Sequence, residues 1–439
     1  MNNVFHRHCH SQLPTADYGD GVYIYDTDGK PYLDACGGAA VSCLGHNHPV
    51  VKTAITTQLE KIAYAHSGFF TTQVAEELAT QLAAIAPGDL NHTYFTCGGS
   101  EAVETGLKLA RQYYVERGEN KRHKFISRRQ SYHGNTLGAL AVGGNQWRRE
   151  PYSPLLIQNY TIAPCYSYRD RPDSESPFEY GQRMANELET MILSEGADTI
   201  IGFIAEPVVG ATMGATPAVE GYFQRIRRIC DQYGILLILD EVMCGMGRTG
   251  TWFAQEQDNV QADIVTIAKG LGAGYQPIGA TICSDSIYNT IRDGSGFFQH
   301  GHTYMAHATA MAGSLAVINI LHNENLVATV HERGQQLHKK LQSRFNQHPN
   351  VGDIRGRGLF LALELVADKH SKKPLAPESK VHDKIKAAAM NLGLMIYPMA
   401  GTIDGQSGHH ILLAPPFIIS ENQLDELVDK LEQAITTVL

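Results

Sequence analysis

Ile264-Val265-Thr266-Ile267-Ala268-Lys269-Gly270-Leu271-Gly272 begins as an apolar run of strand length and stops on a lysine. A second run, Ile235-Leu236-Leu237-Ile238-Leu239-Asp240-Glu241, stops on acid. Continuous aliphatic runs of this length read as strands buried on both faces. If both are parallel strands of one open sheet, an ammonium and a carboxylate meet at its carboxyl edge, where ligands bind in such folds. A lysine stripped of water has a lowered pKa and becomes an amine nucleophile. A buried aspartate needs a cation, and a protonated pyridine nitrogen serves. The pair therefore points to a pyridoxal phosphate (PLP) site. Taken alone, a buried ion pair or two unrelated surface charges would explain the same residues.

Composition narrows the classes. The chain has 439 residues, 43% hydrophobic and 18% charged, which is ordinary for a globular protein and long enough for two domains. A net charge of −9 and a pI of about 6.1 disfavour a nucleic-acid-binding surface. No apolar run approaches the roughly 20 residues of a membrane helix. The start, Met1 to Pro14, is polar with no apolar signal core, and the eight cysteines form no Cys-x-x-Cys pair. The expectation is a cytoplasmic protein with reduced thiols. His46-Asn47-His48 and His300-Gly301-His302 lie in turns without a Cys or carboxylate set at metal spacing, so no metal is expected there.

Outward from the two strands, the pattern alternates. Strands are predicted at His92–Thr96, Lys124–Ser127, Thr199–Ala205 and Gly279–Ser284, with helices at Ser100–Arg117, Tyr180–Ser194 and Val219–Tyr233. That alternation predicts an α/β fold with a mainly parallel sheet and helices on both faces. Upstream, Val22–Asp26 and Lys30–Asp34 flank an Asp-Gly turn and read as a hairpin. Helices are expected from Pro49 to about Ser67 and from Thr71 to Ala86. The stretch Cys165–Phe178 is rich in Arg, Asp, Ser and Pro and reads as a polar surface loop. One long helical region, about Ala306 to Gln347, leads to strands at Val351–Arg355, Leu359–Val366, Leu394–Tyr397 and Ile411–Leu413. Helices follow the same pattern at Ser379–Asn391 and Glu421–Val438. This second pattern predicts a smaller α+β domain that the N-terminal hairpin joins. The expected division is 1–65, 66–322 and 323–439.

Four weaker signals converge on the same edge. Thr96-Cys97-Gly98-Gly99-Ser100-Glu101 follows a strand and opens a helix, where backbone N–H groups and the dipole bind phosphate. Ser100 as a simple helix cap explains it equally well. Ser131-Tyr132-His133-Gly134 offers an aromatic before a glycine turn, either a stacking partner for a flat ring or a core aromatic. Glu206, after the strand ending at Ala205, puts another carboxylate at the edge. Thr303, in Gly301-His302-Thr303-Tyr304, offers a hydroxyl to a phosphate or to its own backbone.

Together these segments resemble the class III, PLP-dependent aminotransferases of fold type I, the ω-transaminases. The resemblance is carried by 99–111, Ser131–Gly134, Leu239–Gly250, Ala268–Gly270, His302–Tyr304 and Ala414-Pro415-Pro416. Gly29–Asp34 and Gly45–Pro49 add to it, and it spans essentially the whole chain. It implies a large domain with a seven-stranded sheet. It implies that Lys269 bonds the cofactor as a Schiff base and shuttles the proton, while Asp240 keeps the pyridine nitrogen protonated. Val242 would pack under the ring and Tyr132 above it. Gly99 and Ser100 would bind the phosphate, His133 and Glu206 would belong to the cofactor's surroundings, and Thr303 would reach the phosphate of a partner subunit. That implies a homodimer with shared sites, with pairing into tetramers left open.

The departures from the family pattern bear on substrate. Ala211 stands where relatives carry the glutamate that gates an arginine, Leu412 where that arginine stands, and Met243 where a glutamine lies. Gly98 replaces a commoner serine, and Ala39-Ala40-Val41 replaces bulkier residues, which implies a roomy pocket. No arginine follows Arg357. His409, His410, Arg148 or Arg149 is left to hold a carboxylate. The expected reaction takes an amino group from an ω-amine or ω-amino acid to a 2-oxo acid, pyruvate or 2-oxoglutarate, by a ping-pong route. A lyase, mutase or decarboxylase on the same scaffold is the alternative. A PLP-binding protein without chemistry is disfavoured by the presence of both Lys269 and Asp240.

Overall fold

In the computed structural model, residues 3–10 and 12–439 are described; Met1, Asn2 and Ser11, part of the polar start, lie outside them. The seven-stranded sheet runs in the order Leu90–Thr96, Gly279–Ser284, Ile264–Ala268, Leu236–Asp240, Ile200–Ala205, Lys124–Arg128, Tyr160–Ile162. Gly279–Ser284 is antiparallel to both neighbours, and the other strands run one way. Ile238 pairs with Ile264 and Asp240 with Thr266, so Asp240 and Lys269 emerge on adjacent strands at one edge.

The apolar runs are continuous because both faces of this sheet are covered. Leu237, Leu239, Val265 and Ile267 join one core, with Leu188, Ile226 and Ile229 from helices Pro177–Glu195 and Tyr222–Tyr233. Leu236, Ile238 and Ile264 join the core on the opposite face, with Val103, Leu107 and Ala110 from helix Gly99–Glu116. The alternation of these side chains is the two-residue period of a strand, read out as two separate cores.

The N- and C-terminal parts share structure. Ala16–Asp20, Tyr23–Asp26 and Pro31–Asp34 form an antiparallel meander, to which Leu394–Met395 adds in parallel. Leu33 and Val51 bury in one core with Leu337, Leu361, Leu394 and Leu427. A further sheet, Val351–Arg357, Phe360–Asp368, His409–Leu413 and Tyr397–Ala400, packs in the same region. Among the described residues, no helix is long and apolar enough to cross a membrane.

Three expectations need correction. The long helical region is two helices, Ala308–Asn323 and Leu326–Phe345, because Asn325 adopts a left-handed φ of 52° between them. The Tyr160–Ile162 edge strand was not expected; three residues are too few for a period to show. The polar stretch after Cys165 is not simply a surface loop. Cys165 and Tyr166 are buried, and Ser167–Asp170 is a short helix whose Arg169 donates to the buried Glu364 at 2.7 Å.

Candidate active site

At the carboxyl edge of the large sheet lies a cavity of about 530 Å³. Gly99, Ser100, Tyr132, His133, Glu206, Asp240, Val242 and Lys269 all line it. Of the expected site residues, Thr303 alone does not. It is exposed, outside the lining, and its carbonyl accepts from the Tyr64 hydroxyl at 2.8 Å.

Lys269 ends its strand in a left-handed conformation, φ 45°, and opens the short turn Lys269–Leu271. A non-glycine residue held there costs about 1–2 kcal/mol, and such residues cluster at functional sites. Burial pulls its ammonium down to about 8, with the Arg248 and Arg148 charges helping and Asp240 opposing. Lys269 is the lysine of the cavity lining and is partly buried.

Asp240 is fixed from three sides. Its Oδ1 accepts from the backbone N–H of Val242 at 3.0 Å and from the Thr266 hydroxyl at 3.4 Å. Its Oδ2 accepts from His133 Nδ1 at 2.7 Å. His133 Nε2 lies 4.0 Å from Glu206 Oε2, and neither atom has a hydrogen-bond partner among the described residues. Burial lowers the His133 pKa, but Glu206 and Asp240 outweigh it and the net shift is upward. Burial raises the Glu206 carboxyl, against His133 and Arg128. Glu206 Oε1 accepts from the Tyr132 N–H at 3.0 Å, which ties the aromatic segment to this chain of groups.

The phosphate expectation rests on the start of helix Gly99–Glu116. The cap residue is Gly98 rather than Ser100, and no side chain caps the first turn. Ser100 Oγ instead donates to Asn135 Oδ1 at 3.0 Å and accepts from the Asn135 N–H at 3.1 Å. The first-turn N–H groups therefore face the cavity edge without a capping side chain. Gly99 has no room for anything larger: a Cβ there would meet Val242 Cγ1 at 2.7 Å. A Cβ at Gly98 would meet nothing within 4 Å.

Arg128 and Asn135 were missed. Arg128 is buried against Tyr222 and Phe223, donates to the Glu206 carbonyl, and lies 3.6 Å from Glu206 Oε2. It ends the Lys124–Arg128 strand, so the strand-end logic that found Asp240 would have found it. Nothing in the sequence marks Asn135.

The residues left to hold a carboxylate separate clearly. His410 is buried, shares a hydrogen with Thr402 Oγ1 at 2.7 Å and reaches the Ala211 carbonyl at 3.0 Å; burial pulls it down to about 3. His409 is also buried and outside the cavity lining. Arg149 donates to the carbonyls of Leu140, Ala141 and Gly143 and is equally outside it. Arg148 lines the cavity, its guanidinium 4.6 Å from the centre of the Tyr132 ring. Arg7 lines it as well. Ala39, Val41, Ala211 and Met243 contribute small or flexible apolar surface, and Leu412 is buried in the core behind.

Residues 5–435 match the family model for aminotransferase class-III. The chain belongs to the class III aminotransferases. This class III aminotransferase is 44% identical to an uncharacterized aminotransferase of Schizosaccharomyces pombe, over all of this chain and 96% of that one. It superposes on an (S)-enantioselective omega-transaminase from Thermomicrobium roseum with a TM-score of 0.93 and 36% identity, covering 99% of this chain and 96% of the other. An amine transaminase from an uncultivated Pseudomonas species, solved with PLP bound, gives a TM-score of 0.93 and 35% identity over 100% and 99% of the two chains. The aminotransferase therefore has the PLP fold type I architecture, and it is a transaminase by family.

Proposed function

We propose that this aminotransferase binds PLP in the cavity and moves an amino group from an ω-amine or ω-amino acid to a 2-oxo acid, pyruvate or 2-oxoglutarate, by a ping-pong route. The observation that carries the reading is Lys269, its pKa drawn down by burial, beside a carboxylate held rigid on the neighbouring strand. The Gly99 backbone that a Cβ would clash with and the uncapped helix start suit a close-lying phosphate, and the buried Asp240 carboxylate suits a protonated ring nitrogen.

When bound, the cofactor supplies an electron sink that acidifies the carbon next to the substrate nitrogen. Lys269 would anchor the cofactor and would carry the proton at that carbon on its amine; a base with a pKa near the working pH does this best. Asp240 would pair with the pyridine nitrogen, and His133, with Glu206 behind it, holds the Asp240 carboxylate in register. Val242 and Tyr132, both in the cavity lining, would hold the ring between them. The N–H groups after Gly98 would hold the phosphate, and the Ser100 hydroxyl would join them by turning away from Asn135 Oδ1.

A homodimer with shared sites is part of the same proposal, with tetramers left to experiment. Thr303 is exposed and outside its own chain's cavity lining, and a run of aromatic contacts through Tyr64 and His66 joins the exposed Tyr304 beside it to Phe69, 81% exposed. Such a patch is expected to be covered. Light scattering on the purified protein should give twice the chain mass or more.

A panel of amines against pyruvate and 2-oxoglutarate tests the reaction. Alanine or glutamate should accumulate in step with consumption of the amine. Release of ammonia or carbon dioxide without amino transfer would instead favour a lyase or decarboxylase on this scaffold.

A further inference from the structure

A 2-oxo acid acceptor brings a carboxylate into the cavity, and the lysine of the lining, Lys269, is taken by the cofactor on the reading above. The cavity carries its own cation on another element. Arg148 sits in the short helix Gln146–Arg149, with its guanidinium stacked on Tyr132 at 4.6 Å and 5.7 Å from Trp147. Its Nε is buried without a hydrogen-bond partner, and none of the ion pairs found among the described residues includes it. The carboxylates in the lining are Glu206 and Asp240, and both are engaged at the floor with His133 and backbone N–H groups. A second guanidinium, Arg7, lies along the same lining, and its charge and that of Arg148 both bear on Tyr132.

The contrast with Arg149 is instructive. That side chain is consumed by three backbone carbonyls and secures the turn. Arg148 is secured only through its backbone: Asn145 Oδ1 accepts its N–H at 3.3 Å, and Asn145 Nδ2 donates to Gln130 Oε1 at 3.2 Å. Gln130 Nε2 in turn donates to the Gly401 carbonyl at 2.7 Å, which seats the Arg148 turn against the 401–408 segment. A Cβ at Gly405 would come within 3.4 Å of the Trp147 nitrogen, a close approach of the two backbones. The result is a positioned turn carrying an unspent planar fork, the geometry that binds a carboxylate through two parallel hydrogen bonds.

We propose that Arg148 binds the carboxylate of the 2-oxo acid acceptor and so determines acceptor specificity. This rests on the amino transfer proposed above. A carboxylate-free amine donor has no use for the contact, so the two halves of the reaction should respond differently to its loss.

The test follows each half-reaction separately by absorbance, the donor half on the PLP-loaded enzyme and the acceptor half on enzyme loaded with pyridoxamine phosphate, in wild type, R148L and R148K. With pyruvate as acceptor, the second-order rate constant should fall roughly 10- to 100-fold in R148L, the range for a charge-assisted pair in a desolvated site, and recover in part in R148K. With butanal, an acceptor lacking the carboxylate, R148L should change by less than threefold, and so should the first half-reaction with 1-butylamine. Propanoate, titrated calorimetrically into the loaded enzyme, should bind at least tenfold more weakly to R148L; this readout needs no turnover. Equal losses with pyruvate and butanal, no loss with either, or a loss of PLP retention in R148L would overturn the assignment, the last because Arg148 would then serve the cofactor's phosphate. Wild-type enzyme that binds propanoate through Arg148 but transfers no amino group would leave the carboxylate site standing and sink the proposed reaction.

Discussion

Two buried carboxylates in this molecule meet opposite fates. Glu364, in the Phe360–Asp368 strand, accepts from Arg169 Nε at 2.7 Å, Arg355 NH1 at 2.6 Å and the Tyr166 hydroxyl. Burial alone would raise its pKa, but Arg355 and Arg169 hold it below the usual carboxylate range. Glu206, at the cavity floor, has one oxygen with no hydrogen-bond partner among the described residues and its nearest cations at 3.6 Å and 4.0 Å. Burial prevails there and the pKa rises. The same residue type at similar depth is thus fully satisfied where it joins structural elements and under-satisfied where it faces a cavity. Incomplete satisfaction next to a lysine of lowered pKa marks the chemical site; mere burial of charge does not.

The largest effect expected from this contrast lies on the cavity side. Lys269→Ala should abolish amino transfer, by at least about 10⁴-fold, because it removes both the covalent anchor and the base. It should not lower Tm, since it relieves a desolvated ammonium. On the other side, Glu364→Ala should cost about 3–5 kcal/mol of stability by removing the buried carboxylate that Arg355, Arg169 and the Tyr166 hydroxyl share, while the folded fraction keeps its rate. Chemical denaturation alongside turnover per folded molecule reads both, and a mutant of either kind that behaved like the other would dissolve the distinction.

A pH series sharpens it. Below about 8 the Lys269 amine is protonated and cannot attack an aldehyde. The rate at which PLP loads onto the cofactor-free protein should therefore rise with pH up to about 8 and level off above. The sign for stability follows from the same group. Between about 8 and its ordinary 10.5, the unfolded chain holds a proton that the folded chain has lost, so Lys269 favours folding increasingly as pH rises through that window. The smallest effect is at Gly98, where a Cβ finds open space at extended φ. Gly98→Ser should keep PLP affinity and turnover within about threefold, whereas Gly99→Ser must displace Val242 and should weaken PLP binding by tenfold or more.

Much of this was legible before any coordinates. The two decisive strands read clearly because parallel strands covered on both faces are continuous apolar runs. Their polar ends then mark the ligand edge without further information. What sequence could not show has specific physical causes. Arg148 and Arg149 are neighbours of the same type, and only packing decides which is spent on carbonyls. Cys165 and Tyr166 hide at the head of a polar stretch, so composition averages them away. Asn325 breaks a helical pattern that is otherwise unbroken in its apolar spacing. His409 and His410, chemically plausible as carboxylate partners, are core residues because their strand lies in the middle of the C-terminal sheet.

The most direct test is chemical. The protein, loaded with PLP and reduced with borohydride, should carry one pyridoxyl group, and peptide mass mapping should place it on Lys269. A stable modification on another lysine, or none at all with PLP bound, would contradict the assignment of Lys269 and Asp240 as the centre of the site.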